Sequence, residues 1–284
     1  MKRKAFTLIE LLVVISIIAL LLSILMPGLR MAKMKASSAV CLGNARQITL
    51  AWYMYTEDNN GRLCSSSTKH EYGWVRRPID AYGGTMQARQ LSPPVTDEDE
   101  IRGIEKGVLF DYYEEPDLVH CPGDKLRVSK WDGTKIFRSY SMPAYLYPSD
   151  TESPLTVKRL SEITSTGSRI MLVEEADGRN YNSGPWSFGA PGWSSGGVTV
   201  PLGEYRWWDP MAVNHGDSSI LGFCDGHAER HRWRAASTKQ RIIDYQNDDE
   251  RTGYGLDSAP PSDSTVDVDF VGRAWGVTYR GGRN

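Results

Sequence analysis

Glu10 is the first residue whose type and position demand a chemical account. It lies in the run FTLIELLVVISIIALLLSILM, and from Leu11 to Met26 only Ser16 and Ser23 are polar. A carboxylate inside such a segment costs a few kcal/mol on insertion scales and so marks a functional position. It needs either a cation or a proton. A cation carried by a neighbouring chain would fix the axial register of packed helices, as buried polar groups do in coiled coils. The plain alternative is a protonated carboxyl close to the headgroups.

A second set of reactive side chains lies near the C-terminus. His227, Glu229 and His231 alternate and so share one face of a strand, with His215 and Asp225 close in sequence. Together they have the types that hold a metal, although the spacing matches no diagnostic ligand pattern. The bland reading is a solvated hairpin face with Asp225 and Gly226 forming the turn. Trp186, Trp193, Trp207 and Trp208 stand in a Gly-rich stretch, where they could stack on sugar rings or pack in a core. No G-x-S-x-G, no phosphate-binding glycine loop and no carboxylate pair in a glycosidase setting is present, so the chain does not read as an enzyme.

The elements that must position these groups follow from patterning. The 284 residues carry Lys+Arg 33 against Asp+Glu 35, a net charge of −2, which gives no support for nucleic-acid binding. Twenty-seven Gly and 15 Pro favour a loop-rich β domain. The mean hydropathy of −0.42 belongs to a soluble protein and conceals the apolar N-terminus. Phe6 to Met26 is 21 residues, enough at about 1.5 Å each to cross a hydrocarbon core of about 30 Å. Three readings compete there: a cleaved secretory signal, a plain anchor, and an anchor in which Glu10 works. The first lacks a small-x-small site after the run, and the second leaves Glu10 unexplained.

Beyond Pro27-Gly28, which should bend the helix without ending it, the pattern is amphipathic. Met31, Met34, Cys41, Ala45, Ile48, Trp52 and Tyr55 form one face, and Asp58-Asn59-Asn60-Gly61 supplies the stop. One helix over about 7–57 would be about 75 Å long. After Gly61 the sequence reads as β-rich with long loops. Arg169–Val173 is an apolar strand ending in Glu174-Glu175. Ser219–Cys224 and His227–Trp233 flank Asp225-Gly226, the signature of a hairpin with a type I′ turn. Ala259–Asp263 reads as a loop before strands 266–271 and 274–279, with 280–284 a frayed tail.

The string Lys4-Ala5-Phe6-Thr7-Leu8-Ile9-Glu10-Leu11-Leu12 resembles the cleavage and methylation motif of type IV prepilins and type II secretion pseudopilins. The resemblance implies a cut between Ala5 and Phe6, N-methylation of Phe6, and pairing of Glu10 with the Phe6 amine of a neighbouring subunit. The family usually has Gly where this chain has Ala5, which is also small. Pro27 falls where many members carry a helix-kinking Pro. The Cys41–Tyr55 segment, Cys121-Pro122-Gly123-Asp124, and His215 followed by nine residues and Asp225-Gly226 extend the likeness. They are similar to a large pseudopilin-like group whose C-terminal marker is that His-x9-Asp-Gly pattern.

What the resemblance implies is an α+β, pilin-like fold, a long N-terminal helix on an antiparallel sheet. The leader would be 1–5 and the helix 6–57, with 6–29 in the membrane and 30–57 amphipathic. The β-rich domain would be 58–284. The protein would be a single-pass inner-membrane subunit with a cytoplasmic N-terminus and an extracytoplasmic domain. Its partners would be a prepilin peptidase and N-methyltransferase, other pilin-like subunits, the secretion or pilus machinery and lipid. No cofactor is expected, with calcium at Asp263, Asp267 and Asp269 the one candidate by analogy with calcium-binding pseudopilins. The competing function is a membrane-anchored carbohydrate-binding or hydrolytic protein with a pilin-type signal. In an exported domain four cysteines could pair. Cys41 on the helix face and Cys121 in its loop are one candidate bridge; two buried thiols are the alternative.

Overall fold

The computed structural model describes residues 7–86, 95–124, 138–146, 156–176, 184–191, 194–195, 198–201, 203–209, 211–247, 263 and 265–275. It shows a long N-terminal helix joined to an antiparallel β-sheet domain, an α+β, pilin-like arrangement. Helix α1 spans Leu8–Asp58, 51 residues, and continues through Pro27. Its first part has the side chains of Leu8 to Leu29 largely exposed, and it is long and apolar enough to cross a membrane. Ser16 and Ser23 donate their hydroxyls to the carbonyls of Leu12 and Leu20, both at 2.7 Å. Neither hydroxyl is left unpaired, which lowers its cost in hydrocarbon.

The second part of α1 buries Ser38, Cys41, Ala45, Ile48, Thr49, Ala51, Trp52 and Thr56. These recur at helical spacing, so one face meets the domain. Met31 and Met34 belong to the same sequence stripe yet are 57% and 37% exposed. The domain first covers the helix at Ser38, so the stripe predicted from Met31 onward is buried only from there.

Among the described residues eight short strands follow: β1 Tyr140–Ser141, β2 Ile170–Glu174, β3 Phe188–Gly189, β4 Ser194–Ser195, β5 Val198–Thr199, β6 Arg206–Trp207, β7 Ser218–Phe223 and β8 Ala228–Arg232. The main sheet has the order β1-β2-β7-β8, antiparallel throughout, and β3-β6 and β4-β5 form two small pairs. Helix α1 packs on β2, β7 and β8. β2 and β7 are buried along their whole length, in keeping with the apolar runs Ile170–Val173 in β2 and Ile220-Leu221 in β7. Trp52, Trp74, Trp186 and Trp233 are fully enclosed in the core.

Among the described residues there are also four shorter α-helices: α2 Asp97–Glu105, α3 Phe110–Tyr113, α4 Ala236–Asn247 and α5 Thr265–Ala274. The α5 segment corrects the strand expected over 266–271. Its apolar residues alternate locally, but Val268, Val271 and Trp275 also fall on one helical face, and that face is buried. The strand expected over 274–279 is overturned at its start, where α5 holds Ala274; 276–284 lie outside the described residues.

Candidate functional site

The N-terminal segment carries the first candidate site. Thr7 caps α1: its Oγ1 accepts the Glu10 N–H at 3.3 Å, while Glu10 Oε2 accepts the Thr7 N–H at 2.9 Å and the Thr7 hydroxyl at 2.8 Å. This is a reciprocal capping box, legible in sequence as Thr-x-x-Glu and missed when Glu10 was read for its charge alone. Glu10 therefore has a local duty at the helix start. Among the described residues its Oε1 accepts no hydrogen bond, so one carboxylate oxygen is free to meet a cation from outside the chain. Ala5 and Phe6 lie outside the described residues.

The His215-to-Asp225-Gly226 pattern turns out to measure one strand. β7 fills most of the interval, and its six residues at about 3.3 Å each put the two ends about 20 Å apart. The motif does not gather its residues into one site. At the far end Gly226 N–H bonds Phe223 C=O at 3.0 Å, and Phe223 N–H bonds His227 C=O at 2.9 Å. The loop is thus the three residues Cys224-Asp225-Gly226. Only Gly226 has positive φ, +92°, among these. The two-residue type I′ turn expected from Asp-Gly is replaced by a three-residue loop with a left-handed Gly at its end.

At the near end, His215 enters a buried cluster. Its Nε2 lies 2.9 Å from Glu174 Oε1 and 3.4 Å from Cys121 Sγ. Glu174 Oε2 accepts the Ile220 N–H at 2.7 Å. Cys41 completes the group, and one ligating atom from each of Cys41, Cys121, Glu174 and His215 falls within 4.8 Å of every other. The first three residues are 0% exposed and His215 is 2% exposed. Four remote parts of the chain converge here: α1, the loop after the Pro116–Val119 turn, the last residue of β2, and the lead-in to β7.

Local structure sets each member. Cys121 begins the turn in which Asp124 N–H bonds its carbonyl at 2.9 Å, while Gly123 N–H points to its Sγ at 3.3 Å. A Cβ at Gly123 would lie 3.0 Å from His215 Cε1, so glycine lets the turn lie flat on the imidazole. Ser139 Oγ accepts the Cys121 N–H and donates to Asp124, at 3.0 and 2.7 Å. Tyr140 donates its hydroxyl to the Cys41 carbonyl at 3.2 Å, and Asn44 donates to the His120 carbonyl at 3.2 Å. Among the described residues His215 Nδ1 has no hydrogen-bond partner, so the ring is held through Nε2.

The electrostatics reflect crowding. A hydrogen bond from the Cys121 thiol brings Cys41 down to about 5 against the effect of burial, with His215 adding to the lowering. Cys121 is pushed up for the complementary reason. Burial raises Glu174, opposed by His215 and the Ile220 N–H. Burial works against protonation of His215, but its contacts with Cys41 and Glu174 outweigh that and lift it to about 9.

Sequence reasoning paired Cys41 with Cys121, and the fold does bring them together. They are free thiols here, as are buried Cys64 and Cys224, so the expected bridge is not formed. The two sulfurs lie within 4.8 Å of each other and share their surroundings with His215 and Glu174. Glu174 was read only as a strand end. A carboxylate finishing the all-apolar run Ile170–Val173 was the signal, because a strand buried on both faces carries its last residue inside.

The other candidates disperse. His227 stacks on Phe223 at 4.4 Å and pairs with Asp225 Oδ1 at 2.5 Å; His231 stacks on Phe270 at 3.9 Å; Glu229 is exposed. Among the described residues these do not assemble with His215. Asp267 accepts the N–H groups of Arg234 and Ala235, at 3.0 and 2.9 Å, and Asp263 accepts from Ser237 at the start of α4. Asp269 is exposed. Among the described residues the three acids do not gather into one group of candidate ligands. Trp186 and Trp207 are buried against Phe188, which removes them from any sugar platform; Trp208 is half-buried, and Trp193 lies outside the described residues.

With this geometry in hand, the comparisons with known proteins bear on the N-terminus. Residues 1–26 match the family model described as a prokaryotic N-terminal methylation motif. Together with the apolar start of α1, that match supports a pilin-type precursor of the type IV pilin or pseudopilin-like kind. No match was found among curated proteins or among solved structures.

Proposed function

We propose that this protein is a pilin-like structural subunit, a pseudopilin, of a type II secretion or type IV pilus-like filament. A prepilin peptidase removes 1–5 and Phe6 is then methylated. The first part of α1 holds the subunit in the inner membrane before assembly, with the β domain on the extracytoplasmic side.

One observation carries this reading: the methylation motif opens an unbroken 51-residue helix that is bare and apolar at one end and packed on a sheet at the other. An anchor needs only about 20 apolar residues to span the bilayer. The rigid continuation into the domain makes sense if helices stack and the domains tile the outside of a fibre. Glu10, with one carboxylate oxygen free of local bonds, then meets the Phe6 amine of a neighbour.

The test is recovery of the chain in filaments sheared from cells, coupled to cross-linking of neighbouring α1 helices through cysteines introduced at exposed positions such as Val14 and Leu21. Ladders of cross-linked subunits in the sheared fraction are expected. A chain found only in the membrane, without ladders, would refute assembly.

A further inference from the structure

We propose that Cys41, Cys121, Glu174 and His215 form a structural zinc site that fastens α1 to the β-sheet domain.

The donor set has the chemistry of a closed zinc site: two thiolates, one imidazole nitrogen and one carboxylate oxygen. Tetrahedral zinc with bonds of about 2.0–2.3 Å places its ligand atoms about 3.3–3.8 Å apart. The pairwise limit of 4.8 Å, the 3.4 Å approach of Nε2 to Sγ and the 2.9 Å approach of Nε2 to Oε1 mean that small side-chain shifts would open that cage. Two sulfurs in the set favour a soft or borderline ion over calcium or magnesium, which take oxygen ligands. Four protein donors and complete burial leave no open position for substrate, so the role is structural.

The surroundings have the features of an outer shell that orients ligands. Gly123 N–H is directed at Cys121 Sγ, and Ile220 N–H holds the second oxygen of Glu174. Three groups that can become anions share this buried volume with a single base. An ion would replace the thiol protons and join all four groups at once. The site would bind residues 41, 121, 174 and 215 together where α1 leaves its exposed stretch and enters the domain. Since such a site does not exist in the unfolded chain, the binding energy becomes folding energy.

The test uses the full chain purified in detergent under reducing conditions. Metal content is measured directly, and the metal-free protein, prepared with a chelator, is titrated with zinc alone and with cobalt alone. We expect one zinc per chain, thiolate-to-cobalt charge-transfer absorption, and slower alkylation of the buried Cys41 and Cys121 thiols in the zinc-loaded chain than in the metal-free chain. Cys41→Ser and His215→Ala should lose the ion and the cobalt signal, while Cys64→Ala, buried outside the cluster, should keep both. If those variants do not fold, the wild-type zinc titration and thiol protection still decide. Absence of zinc with no uptake by the reduced metal-free chain, or a Cys41–Cys121 disulfide in protein isolated from the cell envelope, overturns the proposal. The outcome is independent of filament assembly.

Discussion

Thr49 Oγ1 lies 3.0 Å from the carbonyl of Gly226, sharing its one proton with the α1 carbonyls of Ala45 and Arg46 at 2.9 Å, so the middle of the packed part of α1 touches the loop of the β7–β8 hairpin. The same residue accounts for a glycine inside β7. A Cβ on Gly222 would lie 2.3 Å from Thr49 Cγ2 and 3.0 Å from Leu172 Cβ. Helix and sheet meet so closely here that no side chain fits between them. Gly222→Ala should therefore destabilise the domain by about 1–3 kcal/mol, as overpacking of a core does. Adding Thr49→Ser removes the clashing methyl while keeping the hydroxyl, and should recover part of that loss. Thermal unfolding of the two single variants and the double variant gives the coupling; independent effects would contradict the contact.

Gly226→Ala tests the loop by a different mechanism. Nothing stands within 4 Å of a Cβ there, so only the backbone at φ +92° resists a side chain. A loss of about 1 kcal/mol is expected. It should lower the unfolding midpoint by a few degrees without altering the packing signals of the core aromatics. A neutral substitution would show that the loop adopts another shape.

The long helix was legible because its signals are local: an apolar run, a change to one-face burial at Cys41, and a polar stop at Asp58-Asn59. The hairpin was legible for the same reason, although the turn type was not, since Asp-Gly also suits a three-residue loop. The buried cluster was legible only in parts. Cys41, Cys121 and His215 each drew notice, but their meeting with Glu174 depends on how α1 lies across β2 and β7, which no local pattern encodes. The C-terminal helix failed for a related reason. In Val266-Asp267-Val268-Asp269 a two-residue alternation and a helical face coincide, and tertiary burial decides between them.

Asp267 illustrates that decision and can be tested. It is buried, and its two oxygens accept the N–H groups of Arg234 and Ala235 where β8 gives way to α4. Asn at this position has one oxygen and would turn its NH2 toward an N–H donor. Asp267→Asn should cost about 1–3 kcal/mol, the penalty of an unmet buried donor. Hydrogen exchange should report faster opening of the Arg234 and Ala235 amides, with the α1 amides little changed. Uniform loss of protection would mean that the residue serves the whole fold instead.

Processing has a direct readout in mass. Removal of Met1–Ala5 takes away Lys2, Arg3 and Lys4 and moves the net side-chain charge from −2 to −5. An intact mass matching a chain that begins at Phe6 with one added methyl is expected from a host that has the peptidase. Ala5→Gly should be cleaved at least as fast, since the family usually carries Gly there. A mature chain that still begins at Met1 in such a host would refute the pilin-type reading.

Glu10 has a capping duty in the structure and a proposed pairing with a neighbour's amine, and one substitution cannot separate the two, so a pair is required. Glu10→Leu removes the charge and the capping oxygen together. It should insert into membranes at least as well as the wild type, because the penalty for a carboxylate in hydrocarbon disappears. It should also fray the first turn, because Thr7 loses the acceptor for its N–H. Glu10→Gln keeps an oxygen that can accept from Thr7 and loses only the charge, since Gln serves the same place in a capping box. If pairing with a neighbour's amine sets the register, both variants should be strongly reduced in sheared filaments, and Gln should show no fraying in hydrogen exchange at the start of α1. Should Glu10→Gln assemble like the wild type while Glu10→Leu fails, the cap alone explains the residue and the ionic register is excluded.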